Sequence, residues 1–230
     1  MDAWTTNTIQ TADRVTAFLW KVYGWMAVGL GITAIVAFSV AGSPDLLRVL
    51  IGNRLVFFAF VIAQLGLVFF LSARADHLAP GTAAGLFALY SALTGVTLSV
   101  ILLAYTGESI TMTFVVTAGM FGALALFGST TKRSLAGAGQ FFMMGLVGLI
   151  LASILGVFWH NDALQFLISV VGVNVFTGLT AWDAQRLKQM ALALPAGQVG
   201  AHAVVGALSL YLNFINLFLM LLRFTGSRRA

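Results

Sequence analysis

Long apolar runs, each close to the length of a membrane-spanning helix, alternate with short polar connections along this chain. The hydrocarbon core of a bilayer needs about 20 apolar residues per helix. On this basis the pattern predicts spanning helices over residues 20–41, 55–72, 81–104, 110–127, 141–158, 164–181 and 203–222. The runs are continuous and do not alternate in polarity, which favours a helix bundle over a membrane β-barrel.

Composition supports a membrane protein and excludes several other classes. Of the 230 residues, 60% are hydrophobic and 8% are charged, whereas a soluble domain has about 25% charged residues. So little charge excludes an ordinary soluble enzyme, a disordered chain and a nucleic-acid-binding protein. The tails and connections leave no room for a soluble domain, so residues 1–230 are predicted to form one seven-helix transmembrane domain. Because the chain has no Cys, disulfides and thiol chemistry are excluded.

The distribution of Lys and Arg predicts the orientation of the chain. The side that includes the N-terminus carries Arg14, Lys21, Arg74, Lys132, Arg133, Arg186 and Lys188. The opposite side carries Arg48, Arg54, Arg223, Arg228 and Arg229. Basic residues are in excess on the cytoplasmic side, so we expect a cytoplasmic N-terminus. No clearly basic region precedes the first apolar run, so we expect that run to be retained and not cleaved as a signal peptide.

Asp183, at the end of the sixth predicted span, is the acidic residue that does not lie in a connection. Ionisable residues within spans are costly and are candidates for function. The neighbouring Trp182 suggests a position near the lipid headgroups. Asp183 is therefore either a functional acid or an interfacial residue paired with Arg186, three residues further along the helix.

One face of the last predicted span is polar. At helical spacing, a single stripe contains His202, Gly206, Ser209, Asn213, Asn216, Met220 and Arg223. Amide side chains need partners in hydrocarbon, so the stripe must face protein or water. The apolar remainder could still contact other helices, which would make this span central. The stripe is either a packing interface, with Asn213 and Asn216 joining helices, or the lining of an ion path that includes Ser209, Asn216 and His202.

Motifs for catalysis or cofactor binding are absent from the sequence. It contains no GxSxG, HExxH or Walker A pattern. His77, His160 and His202 fall in or near separate connections, without metal-ligand spacing. A retinal protein would need a Lys in the last helix, and this chain has none there. We therefore expect a protein that is not an enzyme and that holds no cofactor.

Five motifs occur in order in five of the seven spans. They are VYGWM at 22–26, YSALTG at 90–95, FVVTAGMFG at 114–122, GLTAWDAQ at 178–185 and LYLNFINLF at 210–218. Together they resemble the Bax inhibitor-1 family, in particular its bacterial YbhL-like branch, nearly from end to end. The resemblance implies a seven-helix fold in which the last helix is surrounded by the other six, and a location in the bacterial inner membrane.

The resemblance also implies an activity, a pH-sensitive calcium leak. In the family, acids of the sixth and seventh helices share a proton and gate the pore. Asp183 matches the first acid, whereas Asn213 stands at the position of the second. The family further has an Arg in the second helix that pairs with the sixth-helix acid, and Arg74 is the best candidate for it here.

The Asn at position 213 changes the mechanism that we expect. Two close carboxylates titrate as a coupled pair, and an Asp–Asn pair cannot. If ionised Asp183 binds Arg74, the cytoplasmic end is held shut, and protonation would release it. Calcium prefers several oxygen ligands, so a transient contact with Asp183 and a shallow pH response are expected. The competing hypothesis is a non-conducting regulator that binds other membrane proteins, such as a membrane protease, and Asn213 strengthens it.

Overall fold

Helices account for nearly all of the chain in a computed structural model, which describes residues 3–159, 161–195 and 199–229. In these residues the helices are α1 (Ala3–Ala41), α2 (Pro44–Gly52), α3 (Arg54–Ala73), α4 (Pro80–Ala104), α5 (Gly107–Thr130), α6 (Ala136–Phe158), α7 (Asp162–Ala193) and α8 (Val199–Thr225). All of them except α2 contain a segment long and apolar enough to cross a membrane. The prediction of an all-α membrane protein with seven spans is confirmed.

The last helix, α8, is the most deeply buried of the spans. In its most apolar window 67% of the residues are buried, compared with 6–39% for the other six spans. Burial is not limited to the polar stripe, because Tyr211, Leu217 and Leu222 on other faces of α8 are also buried. A helix that is buried all round lies inside a bundle, as predicted for the last span.

The helices group into two compact units. The first unit contains the described residues up to Ala104 together with Gln189–Tyr211. The second unit contains Tyr105–Lys188 and the described residues from Leu212 onward. Helix α8 therefore contributes its first half to one unit and its second half to the other.

Close packing of α1 against α4 forms the centre of the first unit. A Cβ added at Gly95 of α4 would come within 2.7 Å of the Thr33 carbonyl oxygen in α1. Thr33 Oγ1 lies 2.9 Å from the carbonyl oxygen of Ser91 and 2.6 Å from the hydroxyl of Tyr211. The buried Tyr211 ring meets Phe87 edge to face, with 5.6 Å between the ring centroids. The polar groups at this centre are neutral and hydrogen-bonded, as buried polar groups generally are.

In the second unit, α7 packs closely against α5 and α6. Gly128 of α5 lies directly against the backbone of Ala181, and Gly139 of α6 lies against the ring of Trp182. A side chain at either glycine would collide with α7. An apolar cluster from α6, α7 and α8 contains Leu149, Ile168, Val175, Phe176, Leu179, Leu217, Met220 and Leu221. These contacts hold the part of α7 that carries Asp183 in place.

Two predicted connections are helical in the structure. Residues 44–52 were expected to lie between spans, and they form α2, which begins at Pro44 with Asp45 in its first turn, both favourable at a helix N-terminus. The sixth predicted span ended at 181, but α7 continues to Ala193, so more than half of the stretch between the sixth and seventh predicted spans is helix. Charged residues end the apolar run here, while buried Leu187 and Ala191 continue the packed face.

Candidate gating site

Asp183 lies in the interior of α7 and is almost fully buried. Its exposed fraction is 5%, and the helix continues as far as Ala193. The sequence analysis placed this residue at the end of a helix, which is wrong because α7 extends further. Burying a carboxylate away from water is costly unless it is paired and hydrogen-bonded, so its contacts decide what it can do.

Asn213 provides one of these contacts. Its side-chain Nδ2 donates a hydrogen bond of 2.8 Å to Oδ2 of Asp183, and it is itself buried. Both residues belong to the second unit. The structure thus brings together the two positions that the family resemblance paired. Asn213 joins α8 to α7, as the packing interpretation of the stripe expected, and it also touches the only acidic side chain singled out in the sequence.

Arg186 provides the second contact. One of its guanidinium nitrogens lies 3.4 Å from Oδ1 of Asp183, and its side chain is 46% exposed. The guanidinium also lies over the Trp182 ring, 5.3 Å from the ring centroid, a cation–π arrangement. Arg186 therefore connects the buried acid to the surface, and an ion pair with so exposed a partner contributes little to stability.

Hydrogen bonds join the same part of α7 to the end of α5 and to the connection between α5 and α6. Gln185 accepts a hydrogen bond from the Leu135 backbone N–H at 2.7 Å and donates one to the Arg133 carbonyl at 2.8 Å. Lys188 donates to the carbonyl of Ser129 at 2.7 Å. The sequence analysis did not single out Gln185 or Lys188 as site residues. Their spacing places them on one side of a helix, but the sequence does not show that their partners are backbone atoms at the end of α5 and in the connection that follows it.

The predicted pore-lining residues have varied surroundings. Asn216 donates to the carbonyl of Leu212 in its own helix at 2.8 Å, so in this structure its amide is bonded within α8. His202 is buried in the first unit, with Nε2 3.0 Å from Oδ1 of Asp76. Ser209 is half-buried. Their role as the lining of an ion path stays a prediction.

Arg74, the predicted basic partner of the acid, lies in the other unit. It follows α3 as the C-terminal capping residue, and its side chain is exposed. Its pairing with Asp183 therefore stays a prediction, and Arg186 is the basic residue that the structure shows beside the acid.

The described residues contain no group of three or more His, Cys, Asp or Glu side chains that could hold a metal ion. His160, considered above, lies outside the described residues. Calcium ligation usually involves several oxygen atoms, often including more than one carboxylate. The transient contact of calcium with Asp183 stays a prediction.

A cavity of about 510 Å³ lies in the second unit near the C-terminal end of α8. The residues that line it include the polar Glu108, Thr113 and Thr225 and the apolar Leu221. Along α8, Leu221 lies about 12 Å from Asn213. Aromatic packing fills the intervening turns, where the ring of Phe214 meets two other rings of this unit edge to face.

Comparison with known proteins now assigns a family. A family model described as an inhibitor of apoptosis-promoting Bax1 matches residues 15–230. The chain belongs to the Bax inhibitor-1 family. Among similar proteins, the inner membrane protein YbhL of Escherichia coli is 47% identical over 224 residues, or 96% of each chain. An uncharacterised protein of Borreliella burgdorferi is 44% identical over 92% of each chain.

A third member, an uncharacterised protein of Deinococcus radiodurans, is 41% identical over 95% of this chain and 94% of its own. The similarity therefore covers all the spans of the Bax inhibitor-1 fold in this chain and not a single motif. The family predicted from five motifs is confirmed.

Proposed function

We propose that this protein is a pH-sensitive cation leak of the bacterial inner membrane, with calcium as the permeant ion and Asp183 as its gate. The location is supported by the relative YbhL, which is an inner membrane protein. The single observation that carries the gate is a carboxyl group, 5% exposed, held between Asn213 and Arg186. The excess of basic residues on the N-terminal side supports a cytoplasmic N-terminus.

The two oxygens of Asp183 have different partners, and protonation affects them differently. Oδ2 accepts from Asn213, and this bond survives protonation because the carbonyl oxygen of a carboxylic acid still accepts. Oδ1 faces the Arg186 guanidinium, and a proton there removes the charge that attracts it. Asn213 thus stays attached while Arg186 is released. Arg74 serves as the second basic partner in this proposal.

The apolar packing along α8 represents the closed state of the leak. Between Asn213 and the cavity beside Glu108, the turns of α8 are packed against aromatic rings and the apolar cluster of the second unit. A hydrated cation cannot cross such packing. Opening therefore requires these side chains to separate, and the stripe residues Ser209, Asn216 and His202 would then line the path.

Calcium flux into liposomes that contain the purified full chain tests the gate. Wild-type flux should depend on pH, and Asp183→Asn should make it independent of pH because the amide does not ionise. The matched control is Asp162→Asn, which makes the same change at an exposed residue in the first turn of the same helix and should preserve the response. The gate is elsewhere if both variants respond to pH as the wild type does.

Asn213→Asp tests the role of the amide in the same assay. It would create two close carboxylates, whose protons leave in two coupled steps. The pH dependence of flux should therefore gain a second titration step and differ from the shallow response expected of the wild type. Calcium flux should also change, because a second carboxylate is available to the ion. An unchanged response would exclude position 213 from the gate.

A non-conducting regulator of other membrane proteins is the second candidate function. The apolar side chains packed along α8 between Asn213 and the cavity favour it, because they would have to separate before an ion could pass. The liposome assay separates the two functions. Liposomes that stay impermeable at every pH, for the wild type and for Asn213→Asp, would leave the regulator as the remaining function.

A further inference from the structure

A second cavity, of about 210 Å³, lies in the first unit where α1, the end of α7 and the start of α8 meet. Arg14 and Lys21 of α1 line it together with apolar side chains that include Phe18, Leu194 and Val199. Phe18 is buried, whereas Arg14 and Lys21 are exposed. The cavity therefore combines an apolar wall with a basic opening.

The two basic residues are positioned on one side of α1. Arg14 donates a hydrogen bond of 3.0 Å to the carbonyl of Leu194, directly after the end of α7, where helix carbonyls lack partners within the helix. Lys21 is seven residues further along and so lies on the same face. Among the described residues neither one forms an ion pair, and the cavity lining contains no carboxylate. Within the described part of the chain, the positive charge of this opening is therefore not balanced by an ion pair.

An apolar strip continues the same face of α1. The seven-residue spacing of Arg14 and Lys21 leads on to Val28 and Ile35, which stay nearly in line along a helix. Both are exposed large hydrophobic side chains, and Ile35 is 69% exposed. Trp20, next to Lys21, is 74% exposed, and Trp is enriched at the membrane–water interface. We therefore expect the basic opening at headgroup depth, with the apolar strip leading from it into the membrane.

We propose that this cavity binds the headgroup phosphate of an anionic phospholipid whose acyl chains lie along the strip of α1. Basic pockets between transmembrane helices bind anionic headgroups, and Arg forms strong, charge-assisted hydrogen bonds to phosphate oxygens. The cavity suits a phosphate and glycerol group, while Val28 and Ile35 offer a surface to the chains. This site is separate from the proposed gate and does not depend on the leak activity.

Native mass spectrometry of the purified full chain in mixed micelles tests the proposal. The micelles contain dioleoyl phosphatidylglycerol and dioleoyl phosphatidylcholine in equal amounts. Two basic side chains near an anionic lipid contribute about 1 kcal/mol each, which corresponds to a preference for phosphatidylglycerol of roughly 30-fold. Arg14→Gln with Lys21→Gln should abolish the preference, and Arg14→Lys with Lys21→Arg should retain it.

Matched controls separate this site from general attraction of charge. Lys132→Gln with Arg133→Gln removes the same charge from an exposed connection and should leave the preference intact. An equal loss in both double variants, or none in the Arg14 and Lys21 variant, would overturn the proposal. Added inorganic phosphate should not displace the lipid. Displacement by phosphate without any enrichment of phosphatidylglycerol would assign the cavity to a soluble anion and would also overturn it.

A single substitution, Lys21→Gln, tests the proposal even if the double variant does not fold. Lys21 is exposed, and among the described residues it makes no side-chain hydrogen bond or ion pair, so Lys21→Gln should fold. Its preference for phosphatidylglycerol should fall about fivefold, the share of one basic residue. A preference unchanged from that of the wild type would contradict the proposal even if the double variant cannot be purified.

Discussion

Tyr211 and Asn213 are two residues apart on α8, yet they belong to different units and to different polar centres. Tyr211 joins the hydroxyl centre of the first unit, where its O–H lies 2.6 Å from Thr33 Oγ1. Asn213 joins the acid centre of the second unit, where its amide lies 2.8 Å from Asp183. Both side chains are buried and hydrogen-bonded, so burial by itself does not distinguish a structural polar group from a functional one.

The two centres differ in what a proton can change. The hydroxyl groups of this centre are neutral at physiological pH. The centre can therefore only hold helices together. The acid centre contains a buried carboxyl group beside an exposed Arg. The proposed pH response therefore has an acidic group to act on in the second unit and no corresponding target at Tyr211.

The largest effect on stability should come from disturbing the helix that carries the acid. Gly128→Ala places a Cβ against the backbone of Ala181, and main-chain atoms cannot move aside as a flexible side chain does. We expect a loss of about 3 kcal/mol in the free energy of unfolding, measured by unfolding in mixed detergent micelles. Gly122→Ala is the control in the same helix, because no other atom lies within 4 Å of its added Cβ. That control should be neutral or up to about 1 kcal/mol more stable, and an equal loss in both variants would contradict the close approach.

Removing the hydrogen bond between Asn213 and Asp183 should have the next largest effect on stability. Asn213→Leu has a similar shape and no donor, so Oδ2 of Asp183 loses the hydrogen bond from the amide. A hydrogen bond to a charged group contributes about 1.5–3 kcal/mol, and we expect a loss in that range. In an Asp183→Asn background the loss should fall to about 1 kcal/mol. Equal losses in the two backgrounds would show that the carboxyl group is not involved.

The hydroxyl centre should show a smaller effect and none on transport. Tyr211→Phe keeps the ring packing against Phe87 and removes the neutral hydrogen bond to Thr33. The free energy of unfolding should fall by about 1 kcal/mol. Calcium flux and its pH dependence should stay as in the wild type. The double variant Tyr211→Phe with Thr33→Val should lose less free energy of unfolding than the sum of the losses in the two single variants, because both substitutions remove the same hydrogen bond. A flux that changes with Tyr211→Phe would break the distinction between the two centres.

The smallest effect on stability should come from Arg186. Its side chain is 46% exposed, so solvent screens the ion pair, and Arg186→Gln should change the free energy of unfolding by no more than about 0.5 kcal/mol. The pH dependence of calcium flux should nevertheless weaken, since the partner that is released on protonation is gone. Arg223→Gln, at an exposed residue in the last turn of α8, is the control for loss of a positive charge and should leave that dependence intact.

The positions of the spans were predictable, whereas some helix ends were not. Hydropathy depends on each residue and its neighbours in sequence, so all seven spans could be predicted. The same property ended the sixth span too early, since Asp183, Arg186 and Lys188 are polar while the helix continues to Ala193. Asp183 and Lys188 have partners on other helices, Asn213 and Ser129, and hydropathy carries no information about such contacts.

The candidate site was only partly predictable. The pairing of Asp183 with Asn213 followed from resemblance to a family, and no spacing within α7 or α8 shows that the two helices touch there. Gln185 was missed because its partners are backbone groups of a distant connection. Arg14 and Lys21 served only to predict orientation, because the wall of their cavity comes from chain segments nearly 180 residues away in sequence.

By itself the sequence determined the membrane class, the seven spans and the family, because these depend on local hydropathy and on motifs within single helices. The tertiary structure alone decided that Asp183 is buried and that Asn213 and Arg186 contact different oxygens of its carboxyl group. It also decided that two basic residues, Arg14 and Lys21, line a cavity with apolar side chains. Such contacts depend on how each helix is rotated and how closely its neighbours approach. Backbone contact at positions such as Gly128 sets that approach, and it forms only when the helices pack.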